Sequence, residues 1–314
     1  MINRCISCTF CFETLVSDTI AGKGPVKCAV NPRAGRECKY PAHEKDGAGR
    51  TVVVVGAGVG GLEAARVLGE RGFHVVVLEK EGRAGGQINI ADRPPHKEKM
   101  DWIVEYELSQ LKKYDVQILI NTEADAGRIA SYAPYAIVLA TGGTPIKPSS
   151  IPGSDLEEAV TFKEVLCDEK VLEGRKVTVI GSGATGLETA EFLCARGNEV
   201  TIVEMLDSIG QGVYVQHYLD AMDKLSKYDI TYKPKTRLAE IKKDAAVLEH
   251  LEDGTFEEYP SDYVVLAMGV RSVNPLEQAC KEICDKVIVA GDAKQVGRIE
   301  GAVRSGFEAA YTLQ

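Results

Sequence analysis

The alternation of apolar and polar positions divides the chain unequally. Residues 1–46 carry little periodic structure. From Thr51 the pattern changes: Thr51–Val55 is a continuous β-branched run of the kind found in a strand buried on both faces. Glycines follow, then a helical pattern carried by Leu62, Ala65 and Leu68, then a second strand at His74–Leu78. That is a βαβ unit. Met100–Lys113 reads as an amphipathic helix with Ile103, Leu108 and Leu111 on its apolar side, and strands are expected at Val116–Ile120 and Ala136–Ala140. Past a connection containing Pro145, Pro148 and Pro152 the order begins again, with strand Lys176–Ile180, helix Gly186–Arg196 and strand Glu199–Val203. VVVVGAGVGGLEAARVLGERGFHVVVLEK and KVTVIGSGATGLETAEFLCARGNEVTIVEM are one pattern used twice, about 125 residues apart. Beyond Tyr228 shorter elements predict a β-meander: Ile230–Tyr232, Arg237–Lys242, Ala246–Leu251 and Tyr263–Met268, with a turn at Asp253-Gly254. A last strand, Lys286–Ala290, leads to Gly291-Asp292, and a helix from Glu300 to Tyr311 closes the chain. The fold class is α/β, with two Rossmann-like dinucleotide-binding domains.

Composition narrows the function classes. The chain has 314 residues, 45% of them hydrophobic, which is enough for roughly two domains with their own cores. A formal charge of −9 argues against a nucleic-acid binder, because phosphate contacts need clustered Lys and Arg. No apolar run approaches the ~18 residues of a membrane span, and no signal-peptide segment opens the chain. A cytoplasmic location is expected. What stands out is 31 glycines and nine cysteines.

The glycines resolve into two fingerprints. Gly56-Ala57-Gly58-Val59-Gly60-Gly61 lies between a strand and a helix, with Glu79 ending the next strand. Strand, helix and acidic residue in register are what dinucleotide binding requires. The first glycine permits the tight turn and the second lets a pyrophosphate reach the backbone. The third lets helix and strand pack closely, and the helix N-terminus offers free N–H groups to the phosphates. Gly181-Ser182-Gly183-Ala184-Thr185-Gly186 repeats the arrangement with Glu204. An acid there favours the free 2′-hydroxyl of NADH and repels the 2′-phosphate of NADPH, and Asp207 adds to that bias. A fold-only repeat is the competing reading. Two such folds suggest a flavoprotein with one site for FAD and one for NAD(P)H. Ala140-Thr141-Gly142-Gly143 resembles the ATG segment of two-dinucleotide flavoproteins, and Gly291-Asp292 resembles their terminal GD motif, whose acid contacts the flavin ribityl chain. A solvated turn or cap is the plain alternative for Asp292. Because the GD segment returns to the first domain, the FAD domain is expected to be discontinuous.

The cysteines are lopsided. Cys5, Cys8, Cys11 and Cys28 supply four thiolates from one irregular segment. Such backbone suits an iron–sulfur cluster, since its N–H groups can point at the sulfurs and tune the potential. Structural zinc is the competing use, and Cys38 competes with Cys28 as fourth ligand. Cys167, Cys194, Cys280 and Cys284 read as buried or incidental. No CxxC follows the second fingerprint, which argues against a thioredoxin-reductase type dithiol.

The cysteine segment with Cys28-Ala-Val-Asn-Pro-Arg-Ala-Gly-Arg-Glu37, the first fingerprint, and Gly85-Gly86-Gln87-Ile88-Asn89 resemble one family over essentially the whole chain. This is the C-terminal region of the iron–sulfur flavoenzymes related to 2,4-dienoyl-CoA reductase, 2-enoate reductase and trimethylamine dehydrogenase. The resemblance implies that Cys5, Cys8, Cys11 and Cys28 hold a 4Fe-4S cluster. It implies FAD at Gly56, Ala57, Gly58, Gly61, Glu79, Lys80, Gly86, Gln87, Thr141, Gly142, Gly291 and Asp292, with Lys97, in a stretch similar to the family's GKE segment, as a further contact. NADH falls to Gly181, Gly183, Gly186 and Glu204. Members similar to trimethylamine dehydrogenase hold ADP in place of FAD, and the intact second fingerprint argues against that here. Two features depart from the family: two residues rather than three separate Cys8 from Cys11, and sixteen separate Cys11 from Cys28. The Old Yellow Enzyme-type FMN barrel that precedes this region in the family has no counterpart in the chain.

The expected organisation is a cluster segment (1–46), a first FAD part (47–148), an NAD(P)H domain (149–280) and a second FAD part (281–314). The expected function is electron transfer from NADH through FAD and the cluster to a partner FMN domain or subunit that reduces an activated alkene or related substrate. The cofactors do the chemistry, so no catalytic side chain is expected. Alternatives are a free-standing NADH:acceptor reductase using ferredoxin, quinone or oxygen, and a non-catalytic nucleotide-binding scaffold with a structural zinc.

Overall fold

The computed structural model describes residues 2–42 and 44–314. In it the two β-branched runs are the middle strands of two separate parallel sheets. The first sheet runs Val287–Val289, Ala136–Leu139, Thr51–Val55, His74–Leu78, Gln117–Leu119. Val52, Val53 and Val54 are fully buried because both faces are covered. Val52 and Val54 face a cluster containing Leu62, Val303 and Phe307, while Val53 and Val55 face Ile129 and Cys280. The second sheet runs Ala159–Thr161, Tyr263–Leu266, Lys176–Ile180, Glu199–Val203, Ile230–Lys233. Its apolar face meets Leu238, Ile241, Ala246 and Leu248.

The chain divides into two units. One comprises the residues up to Asp92, Lys99–Thr144 and Arg271–Gln314; the other comprises Arg93–Glu98 and Pro145–Val270. The first unit is discontinuous because Val287–Val289 pairs with Ala136–Leu139. Its closing helix Ile299–Tyr311 packs on helix Val59–Glu70 so tightly that a Cβ at Gly306 would lie 1.9 Å from the Gly60 carbonyl oxygen. Residues 271–280, which the sequence placed with the NAD(P)H domain, lie in the first unit, where Cys280 is fully buried in the sheet's cluster. The expected cluster segment 1–46 includes Met1 and His43, outside the described residues.

Two expectations change. The stretch beyond Tyr228 is not one meander. Thr236–Lys242, Ala245–His250 and Phe256–Pro260 form a three-stranded antiparallel sheet, while Ile230–Lys233 and Tyr263–Leu266 join the parallel sheet. Phe256–Pro260 escaped the pattern because it is an exposed edge strand with Phe256 itself 65% exposed. The cysteine arm also contains a short helix, Phe10–Thr14, running into a π-helical turn, Leu15–Thr19. Thr14 fixes it, bonding the Phe10 carbonyl at 3.1 Å and accepting the Lys27 N–H at 3.0 Å. The arm packs on the first unit through Ile6, Val30 and Tyr40, and the Arg4 guanidinium lies 4.3 Å above the Trp102 ring. No helix among the described residues is long and apolar enough to cross a membrane.

Candidate functional site

In the first unit the strand Thr51–Val55 hands over to helix Val59–Glu70 through Gly56 at φ +100°. A Cβ there would meet the Ala140 carbonyl oxygen at 2.4 Å. A Cβ at Gly61 would stand 2.0 Å from the Gly56 oxygen, so the helix rests directly on the loop. Gly58 opens the helix and no side chain caps it, which leaves the first amides to an anionic ligand. Glu79, 7% exposed, shapes the loop: Oε2 accepts the Ala57 N–H at 2.6 Å and Oε1 the Glu81 N–H at 2.8 Å.

A second segment closes over this loop. Gly85 donates its N–H to the Ala57 carbonyl at 2.8 Å and forms a parallel bridge with Gly58. A Cβ at Gly86 would lie 2.9 Å from the Gly58 Cα. Gln87 Nε2 donates to Asp292 Oδ2 at 2.7 Å, and Asp292 Oδ1 accepts the Gly297 N–H at 3.1 Å. Burial pushes the Asp292 carboxyl up, against the Gly297 bond. Gly291, at φ +61°, is held by Ser305 Oγ at 3.0 Å. Thr141 Oγ1 donates to the Val273 carbonyl, and the Gly142 carbonyl accepts the Val273 N–H at 3.0 Å. Lys80 is exposed, 4.0 Å from Glu81. Lys97 belongs to the second unit, where its ammonium pairs with Glu188 at 2.7 Å.

The second fingerprint repeats the construction. Gly181 has φ +103°, and a Cβ at Gly186 would stand 2.0 Å from its oxygen. Glu204 Oε2 accepts both the Ser182 N–H at 2.9 Å and its hydroxyl at 2.6 Å, while Oε1 accepts the Leu206 N–H at 3.0 Å. Burial opposes the Glu204 charge, but the bonds from Ser182, Leu206 and Met205 prevail and hold the carboxyl below its usual range. Ser182 Oγ also accepts the Gly210 N–H at 2.9 Å, a side-chain contact where Gly85 in the first unit bonds the backbone of Ala57 and bridges Gly58. The loops differ in cover. At Gly183 a Cβ would meet nothing within 4 Å, and Gly183, Ala184 and Thr185 are exposed.

In the cysteine arm, Cys5 and Cys11 are exposed and Cys8 and Cys28 half-buried. Burial pushes the Cys8 thiol up, and the nearby Cys28, Cys5 and Cys11 thiols push it further against a bond from the Phe10 N–H. Cys38 is not among these neighbours. The Ser7 N–H points at Cys5 Sγ at 3.4 Å, so the same i+2 donor stands at two successive cysteines. Ser7 and Thr9 adopt φ +57° and +52° to allow it. Among the described residues no three His, Cys, Asp or Glu side chains are already arranged as a metal site. A cavity of about 590 Å³, lined among others by Arg36, Cys38, Lys39 and Arg304, contains no fingerprint residue.

Residues 50–297 match the model of the pyridine nucleotide-disulphide oxidoreductases. The chain belongs to this family. It is a flavin-dependent oxidoreductase by that membership, with two dinucleotide-binding folds. Over 99% of its length it is 34% identical to an NADH oxidase from Thermoanaerobacter brockii and 33% identical to a bilirubin reductase from Mediterraneibacter gnavus. It superposes on a 2-naphthoyl-CoA reductase over 99% of the chain with TM-score 0.89 and 28% identity. It covers 48%, 47% and 46% of those three proteins, so the chain spans about half the length of the relatives it matches. The similarity places it as the FAD- and NAD-binding part of the iron–sulfur flavoenzyme family that the sequence resembles.

One element of the oxidoreductase site is invisible to the fingerprints alone. A Cβ at Gly181 would meet the Ala267 carbonyl oxygen at 2.6 Å, as Gly56 meets Ala140, and Gly269 has φ +95° where Gly142 has φ +74°. Leu266-Ala267-Met268-Gly269 is therefore the second unit's version of Leu139-Ala140-Thr141-Gly142. The repeated Leu-Ala-x-Gly was the signal for it.

Proposed function

We propose that the chain is the NADH-oxidising half of an electron-transfer enzyme, with FAD at the first fingerprint, NADH at the second and a 4Fe-4S cluster in the cysteine arm. The observation that carries the assignment is the difference in cover. The first loop is closed over by Gly85–Gln87 and tied to Asp292, as suits a resident cofactor, whereas the second is open at Gly183, as suits a substrate that must exchange. Helix Val59–Glu70 would present its amides to the FAD pyrophosphate, and Gln87 with Asp292 would hold the ribityl side. Helix Ala184–Cys194 would receive the NADH pyrophosphate. Glu204 keeps its charge, which would repel a 2′-phosphate and so favours NADH over NADPH.

The donor set of Cys5, Cys8, Cys11 and Cys28 suits a cluster: the other three thiols all bear on Cys8, and backbone N–H groups are aimed at two of the four. When bound, FAD supplies the change from two-electron to one-electron transfer and the cluster a one-electron relay. The chain's own residues bind, orient and insulate. The final acceptor belongs to an FMN-containing domain or subunit. An activated, conjugated alkene is the substrate class, in keeping with relatives named for reducing 2-naphthoyl-CoA and bilirubin. A second reading, direct reduction of oxygen or another free acceptor, rests on the relative named NADH oxidase.

Anaerobic titration of the protein, loaded with FAD, iron and sulfide, tests the scheme. NADH should bleach the flavin bands and a broad ~400 nm absorbance together, and Cys28→Ser should abolish the second signal only. A colourless protein, or flavin that NADH leaves oxidised, would sink the proposal. Rapid oxygen consumption without any partner would support the second reading.

A further inference from the structure

Behind the first fingerprint, helix Val59–Glu70 carries a charge arrangement with no part in the scheme above. Glu63 is 1% exposed and held by Arg66, Nε to Oε2 at 2.8 Å and Nη2 to Oε1 at 2.6 Å. From helix Trp102–Lys113, Glu107 enters the same interior space, also 1% exposed. Its Oε2 lies 3.6 Å from Arg66 Nε, too far for a hydrogen bond, and has no hydrogen-bond partner. Arg66 spends its Nη1 on Glu70 at 3.1 Å. Among the described residues the charges that bear on Glu107 are those of Glu63 and Arg66, and its neighbour Tyr106 is pushed up by burial. Two buried carboxyl groups thus share one guanidinium that is already engaged with one of them.

A second buried negative charge that only shares a guanidinium and has no hydrogen bond of its own is too costly to persist, and a hydrogen bond between the two carboxyls requires a proton. We propose that Glu63 and Glu107 share a single proton, and that its loss to solvent weakens cofactor binding at the first fingerprint. Burial first, then Glu63, pushes the Glu107 carboxyl well above its usual range, against the pull of Arg66. The link to the loop is geometric. Glu63 lies five residues beyond Gly58 in the same helix, about 7.5 Å along its axis, in an interior that water does not screen. A pyrophosphate at the helix start therefore favours the protonated pair, and loss of the proton disfavours the pyrophosphate. Only an O–H bond is exchanged with water, and no electron moves.

The inference rests on the reading of this loop as the FAD site. Its test is the pH dependence of FAD affinity in the full chain, measured by flavin fluorescence from pH 5.5 to 9. The dissociation constant should rise with pH by up to about tenfold per unit, the limit for one linked proton. Glu107→Gln, which keeps a donor to Glu63 but has no proton to lose, should flatten the curve. Calorimetry of FAD binding to the unaltered protein, in buffers of different ionisation enthalpy, should show net proton uptake even if the variant does not fold. Parallel curves for both proteins, or no proton uptake at any pH, would overturn the proposal and leave the FAD site standing. No FAD binding at any pH would defeat both.

Discussion

At the residue scale, Glu79 and Glu204 do more than the fingerprint asks of them. Each was expected to contact a nucleotide, yet each already fixes its glycine loop, through Ala57 and Glu81 in one case and Ser182 and Leu206 in the other. One carboxylate thus sets the shape of each glycine loop. Glu204 also carries a pH signature. Its folded carboxyl is held below the usual range, so the stability it contributes is complete above the ordinary glutamate value of about 4.3. That stability is lost as pH falls through the lower folded value. Glu204→Gln should therefore melt earlier than the unaltered protein at pH 7, with the gap in Tm closing below pH 4. The same variant should narrow the preference for NADH over NADPH in kcat/KM. An unchanged preference would move the discriminating residue elsewhere.

At the element scale, two strand–turn–helix units with near-identical backbones part in what surrounds them. Gly56 cannot take a side chain, since its φ is +100° and a Cβ would meet backbone at 2.4 Å. Gly183 can: it is extended at φ −62° and its Cβ would point into open space. Gly183→Ala should fold with flavin bound yet raise KM for NADH on the order of tenfold, about 1.4 kcal/mol, because the methyl stands where a pyrophosphate approaches. Gly56→Ala should lose flavin and stability together. Flavin content and steady-state kinetics of the two variants separate the roles. Equal behaviour would mean that the open loop does not bind the exchanging nucleotide.

At the scale of the whole molecule, distant segments are held by a few buried polar ties within the first unit. Arg71, 2% exposed, reaches Asp46 through Nε and Nη2, the Leu313 carbonyl through the same Nη2 and the Ala310 carbonyl through Nη1. It fastens the segment before the first strand to the end of the closing helix. Arg71→Met leaves those carbonyls unsatisfied and should cost about 2–3 kcal/mol, read as a lower urea midpoint with unchanged m. A midpoint within error of the unaltered protein would mean the tie is replaced by water.

The sequence by itself determined the two nucleotide folds. Strand burial, helix period and the glycines' backbone conformations are local properties, so the pattern fixed sheet centres, fingerprint helices and the discontinuity implied by Gly291-Asp292. It missed the Phe256–Pro260 edge strand, whose exposed alternation hides among charged residues, and the short helix after Cys8. Only the tertiary structure decided which distant residues meet. Gln87 finds Asp292 across 205 positions, and Lys97 goes to Glu188. Cys28 comes to bear on Cys8, and Glu107 is driven against Glu63. Those pairings follow from how whole helices and sheets bury their apolar faces, a long-range condition that no stretch of sequence states alone.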